Sequence, residues 1–169
     1  MKKLFFLIGS SGSGKTTASE LFRDMNLPGI IMCASDSVGV PSKEEMIKEF
    51  GSQSEWQRNN TLKWVKKIKD EYLDKNNVLF DTQSRPTFIE EACKENDIQD
   101  YKIILFDCSD EERKRRLIGR NSPHLVSPQM MDWARYLREN CVGDNCQIID
   151  NTNLNKKEMV DSLLASLAY

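Results

Sequence analysis

Short apolar runs alternate along this chain with longer stretches in which apolar residues recur at helical spacing. The runs are Lys3–Ile8, Gly29–Ala34, Val78–Asp81, Lys102–Asp107 and Gln147–Asp150. Within them apolar residues follow one another without polar alternation, the pattern of strands covered on both faces of a parallel sheet. Helices are expected between them. Gly14–Met25 is one, and Ser52–Leu73 is another, with Leu62, Val65, Ile68 and Tyr72 near one face. Pro86–Glu95 opens with proline at a first-turn position that needs no N–H. A further helix begins after Ser109, which stands at capping-box spacing from Glu112. Asp132–Glu139 and Asn153–Ala168 complete the set, the last carrying Met159, Leu163, Leu164 and Leu167.

Alternating strands and helices predict a doubly wound α/β domain with right-handed crossovers. Ligands of such a sheet bind beyond the carboxyl ends of its strands. The 169 residues suit one domain, and no repeat, low-complexity tract or linker divides them.

Composition changes this picture little. Hydrophobic residues make up 39% and charged residues 30%, with a formal net charge of −2. That balance points away from general affinity for nucleic acid or anionic membrane. Lys2 and Lys3 followed by Leu4–Ile8 imitate the start of a signal peptide, but the apolar run is too short for one and a Gly/Ser loop follows at once. It reads as a buried strand of a cytoplasmic protein. The five cysteines, Cys33, Cys93, Cys108, Cys141 and Cys146, form no Cys-x-x-Cys pair and no common zinc spacing with the single histidine, His124. Reduced, partly buried thiols are expected.

The chemistry is concentrated in Gly9-Ser10-Ser11-Gly12-Ser13-Gly14-Lys15-Thr16, which fits G-x-x-x-x-G-K-[ST] without a mismatch, after a strand and before a helix. Glycines let the backbone curl so that successive N–H groups face phosphate oxygens, and the helix N-terminus adds its positive dipole end. Lys15 supplies charge between the β- and γ-phosphates, Thr16 a hydroxyl for Mg²⁺, and Thr17 a further contact to ATP. On these residues the chain resembles the P-loop kinases of the nucleotide-kinase and small-molecule-kinase type. The resemblance implies a three-layer fold, with five parallel strands in the order 2-3-1-4-5 and a mobile, arginine-bearing helical lid. It also implies transfer of the γ-phosphate of ATP to a small-molecule acceptor.

The metal requires a carboxylate as well. Asp81 and Asp107 both end strands, and position alone does not choose between them. The resemblance favours Asp81, with Asp107 in a capping or turn role. It also places Asp36, after the second strand, at the acceptor hydroxyl, where a carboxylate can accept a proton. The alternative for Asp36 is an Asx-turn. Asp81-Thr82-Gln83-Ser84-Arg85-Pro86 is similar to the third-strand loop of nucleoside monophosphate kinases and to the kinase domain of polynucleotide 5′-kinases. Gln83 and Arg85 are thereby expected at the acceptor, Arg85 gripping a phosphate or carboxylate.

Glu111–Arg120 looks like the helix leading into a kinase lid. Arg116 and Arg120, four residues apart, are expected to share a helix face and act on the transferring phosphoryl or on adenine; Arg113 is the weaker candidate. Asn121–Gly143 is the lid candidate, broken by Pro123 and Pro128 and carrying His124, Arg135 and Arg138. Asn151 and Thr152 are expected beside the adenine, with Thr152 and Asn153 as alternative caps of the last helix. Val38–Asn77 is expected to supply the acceptor-binding helices, where Trp56 and Trp64 either stack a ring or pack the core.

No Asn-Lys-x-Asp reads guanine, and no Leu-Ser-Gly-Gly-Gln-like segment marks an ABC ATPase. A polynucleotide 5′-hydroxyl kinase using Lys63, Lys66, Lys67 and Lys69, and a nucleotide-binding module without transferase activity, stand as the alternatives.

Overall fold

The computed structural model describes residues 2–167. In chain order the elements are β1 (Leu4–Ile8), α1 (Lys15–Asp24), β2 (Ile30–Ala34), α2 (Lys43–Phe50), α3 (Gln53–Glu71), β3 (Asn77–Asp81), α4 (Pro86–Glu95), β4 (Tyr101–Asp107), α5 (Asp110–Gly119), α6 (Pro128–Asn140), β5 (Cys146–Asp150) and α7 (Lys156–Leu167). Short 3₁₀ turns lie at Ser35–Val38 and Pro123–Leu125. The strands form one parallel sheet in the order β2-β3-β1-β4-β5, the three-layer α/β order expected. Ala34 stands opposite Asp81, and Asp107 opposite Asp150, so each of these residues ends its strand.

β1 is buried along its whole length. β2 and β5 are half-buried or mixed. They lie at the two ends of the strand order, so an apolar run did not guarantee two covered faces. Among the described residues, no helix is long and apolar enough to cross a membrane.

The chain divides into two compact units, the first comprising residues up to Phe6 with Gly29–Tyr101, the second Leu7–Pro28 with Lys102 onward. In the first, Ser42 caps α2 in a reciprocal box with Glu45, and Gly51 ends the helix at φ 82°. That helix falls within Val38–Asn77, where helices were expected without bounds for this one. Ser52 accepts the N–H of Glu55 at the start of α3, which buries Thr61, Trp64, Val65 and Ile68. Trp64 packs on Phe80, Phe80 on Phe6, and Phe6 on Tyr101, with ring centroids 5.4, 6.0 and 6.2 Å apart. Trp64 is therefore core. Arg58 forks onto Glu91, joining α3 to α4.

The second unit corrects several local expectations. Pro128 starts α6 rather than breaking it, with Ser127 as cap. α7 is capped by Asn155 and Glu158 reciprocally, not by Thr152 or Asn153. Ser109 does cap α5, but Glu112 does not return the bond. Its carboxylate holds Arg115 and Arg116, and the Ser109 N–H goes to the Thr152 hydroxyl at 2.8 Å. Cys141 and Cys146 are not free thiols: they form a disulfide with Cα atoms 5.5 Å apart, tying the end of α6 to the first residue of β5. Cys33, Cys93 and Cys108 are free. Burial raises all three thiols above their ordinary value, Cys93 to about 12.

Candidate active site

Gly12 and Gly14 adopt φ of 79° and 88°, a region that side-chain-bearing residues rarely enter. Their curl is closed by the Ser13 N–H donating to the Ser10 carbonyl at 3.1 Å. A Cβ on Gly9 would stand 2.6 Å from Ser13 Oγ and 2.7 Å from the Phe106 carbonyl oxygen, so only glycine fits there. Gly14 is the N-cap of α1 and offers no side-chain cap, and the first turn of α1 contains no acid. α2, α3, α5 and α7 carry Glu or Asp in the first turn, whereas α4 and α6, like α1, do not. Of the N-terminal N–H groups of α1, that of Lys15 donates to Ser13 Oγ at 3.4 Å, and no carboxylate in the first turn offsets the positive dipole end, as an anion site requires. Lys15 is half-buried at the first helical position, followed by the exposed Thr16 and half-buried Thr17.

Beneath the loop lies Arg113, 0% exposed and the largest fully buried side chain. Its guanidinium donates to Ser10 Oγ, to the Ser11 carbonyl at 3.3 Å, to Asp107 Oδ1 and to the Cys108 carbonyl at 3.1 Å. Arg113 Nε alone has no partner among the described residues. A Cβ on Gly12 would come within 3.0 Å of Arg113 Cγ, so loop and arginine are in direct contact. The other oxygen of Asp107 accepts from Arg138 Nε, and Arg138 also reaches Asp110 at 2.7 Å. Burial alone would make Arg138 easier to deprotonate, but its bonds to Asp110 and Asp107 outweigh this and raise its pKa.

A second chain of contacts reaches the exit of the loop. Arg116 donates to Glu112 at 2.7 Å, to Asn151 Oδ1 at 2.6 Å and to the Asn151 carbonyl at 2.9 Å. Asn151, fully buried, donates in turn to the Ser13 carbonyl at 2.7 Å. The hydrogen bond from Arg115, together with Arg116, holds the Glu112 carboxyl down at about 2. Thr152 donates its hydroxyl and its N–H to Asp150 at 2.6 and 2.9 Å, which lowers the Asp150 carboxyl.

Within the first unit an open cleft of about 120 Å³ is lined by Asp36, Trp56, Gln57, Asn60, Thr61 and Gln83, together with Ser, Thr and Val side chains. Gln57 donates to the Gln83 carbonyl at 2.8 Å and accepts from Arg85 Nη1, and Thr61 and Ser84 share a bond of 2.7 Å. The Arg85 guanidinium lies 5.4 Å from the Phe88 ring centroid.

No protein-family model and no curated protein matches the sequence. Solved structures do. A sugar kinase from Janibacter sp. HTCC2649 superposes with a TM-score of 0.68 at 15% identity, covering 100% of this chain and 99% of its own. Shikimate kinase from Acinetobacter baumannii, in complex with shikimate, gives 0.60 at 16%, covering 99% and 93%. Deoxyadenosine kinase from M. mycoides, with bound dATP, gives 0.59 at 14%, covering 97% and 98%. The fold is that of the P-loop kinases.

On this P-loop kinase fold the sequence-selected residues fall into two groups, one in each unit. Residues 9–17 form the glycine loop and the start of α1, with Arg116 and Asn151 against Gly14 and Thr152 bonded to Ser109 and Asp150, whereas Asp36 and Gln83 line the cleft. Arg85 sits behind Gln57. Arg120 is the exposed C-cap of α5, just past the helix that carries Arg116. His124 is exposed in its 3₁₀ turn, and Arg135 pairs with Asp132 on the surface of α6 at 3.2 Å. Asp81 is 7% exposed at the end of β3. The residue that sequence reasoning underrated is Arg113. Its signal was the four-residue spacing to Leu117, also 0% exposed, which puts both on the buried face of α5.

Proposed function

We propose that the protein is an ATP-dependent phosphotransferase acting on the hydroxyl of a small molecule. The observation that supports this best is the acid-free N-terminus of α1 behind a glycine loop that Arg113 bonds at Ser10 and Ser11. The loop N–H groups and Lys15 bind the triphosphate and carry the charge that builds up on the β–γ bridge. Arg116 and Arg120 add positive charge on the donor side, and Asn151 and Thr152 flank the adenine. Thr16 and Asp81 are the residues that would hold Mg²⁺, whose chemistry is to neutralise charge on the phosphates. The choice of Asp81 is supported by Asp107, both of whose oxygens are taken by arginines.

Asp36 orients the acceptor hydroxyl and takes its proton. The acceptor oxygen forms the new O–P bond, the bridging P–O bond of ATP breaks, and the electron pair leaves on ADP. The sugar, shikimate and deoxyadenosine kinases with this fold support a small-molecule acceptor. The lysines of α3 give little support to a polynucleotide track, since Lys66 pairs with Asp70 and Lys67 lies over Trp64.

Lys15→Ala tests the reading. We expect acceptor-dependent ADP formation to fall at least about a hundredfold with an unchanged thermal unfolding profile, the scale of losing a charge-stabilising donor. Unchanged kcat would sink the mechanism, and ATP binding by wild type with no turnover would leave a nucleotide-binding module.

A further inference from the structure

We infer that the acceptor is an uncharged, hydroxyl-bearing ring compound, a nucleoside or neutral sugar rather than a phosphate or carboxylate ester or acid. This rests on the phosphotransferase reading and narrows it. The only ionisable group lining the cleft is Asp36, a carboxylate, and no lysine or arginine lines it. An anion bound there would lose water beside a like charge, with no cation among the described lining residues to offset the cost.

The cations of α3 and of the loop after β3 are engaged elsewhere. On α3, which supplies Trp56, Gln57, Asn60 and Thr61, Arg58 forks onto Glu91 and Lys66 pairs with Asp70. Lys63 and Lys67 lie over the rings of Phe50 and Trp64, and Lys69 donates to the Asn96 carbonyl. Arg85, the residue suited to grip an anion, instead donates to Gln57 and covers Phe88. It is a positioning residue, fixing Gln57 so that the amide faces the cleft in one orientation.

What the cleft offers suits neutral polar groups. The side chains of Asn60 and Gln83 each carry a donor and an acceptor, matching hydroxyls or the edge of a polar ring. Trp56, half-buried, gives a flat apolar wall, while Trp64 is sequestered in the core. Asp36 provides a place for the reacting hydroxyl.

The test uses matched pairs with wild-type protein and Mg-ATP: nucleosides against their 5′-monophosphates, and neutral hexoses and pentoses against the corresponding sugar acids. The inference expects kcat/KM for the uncharged member to exceed that of its anionic partner at least tenfold, and the productive set tells nucleoside from sugar. Asn60→Leu should then raise acceptor KM about tenfold with ATP KM unchanged, the scale of one lost hydrogen bond to a neutral group. Preference for the anionic members overturns the inference and leaves the phosphotransferase reading standing. Turnover of no member overturns that reading, and this inference with it.

Discussion

At the scale of single residues, Asp107 and Arg113 show how one buried cation organises the donor half. Arg113 joins the loop at Ser10 and Ser11 to the end of β4 at Asp107 and Cys108. Its removal would leave an anion partly uncompensated and the loop unsupported. Arg113→Met should cost about 3 kcal/mol, the low end for breaking a buried pair because Arg138 still faces Asp107. Urea unfolding checks this, and a loss below 1 kcal/mol would mean the arginine is dispensable. Asp107 and Asp81 are separated by a different measurement. Asp107→Asn should lower stability yet leave the Mg²⁺ dependence of turnover where it is, whereas Asp81→Asn should move that dependence to higher Mg²⁺. The reverse pattern in parallel Mg²⁺ titrations would transfer the metal role to Asp107.

At the scale of elements, α6 is tied down at its C-terminal end twice over. Arg138, in its last turn, holds Asp107 and Asp110, and three residues on Cys141 is bonded to Cys146. The helix expected to belong to a mobile lid is therefore anchored at its base. The disulfide has a direct chemical check. Of the five cysteines, three should react with a thiol reagent in denatured, unreduced protein, and all five after reduction. In the native protein at pH 8, Cys93 and Cys108 should react slowly, because burial shields them and disfavours the thiolate. Five reactive thiols before reduction would remove the pairing.

At the scale of the whole molecule, the strand runs and the glycine loop could be read directly from the chain. Both are local signals. Apolar periodicity is set by neighbours within a few residues, and Gly12 and Gly14 announce positive φ without reference to anything distant. The order 2-3-1-4-5 came by resemblance and is the order of the sheet. The sequence alone thus determined an α/β fold with a glycine-rich turn between β1 and α1. It left open which of the two strand-end aspartates serves the metal and whether Trp64 is core, and its expectation of reduced thiols throughout was wrong for Cys141 and Cys146. Only the tertiary structure decided the arginine partners of Asp107 and the core place of Trp64, because partners such as Arg138 for Asp107, Phe80 for Trp64 and Asn151 for Ser13 are remote in the chain. The same holds for the cleft beside α3. Its side chains can be named from the sequence, but its lack of a cation depends on where each arginine and lysine finds its partner. Ion pairs and hydrogen bonds are short-ranged in space and indifferent to separation along the chain, so folding alone settles them.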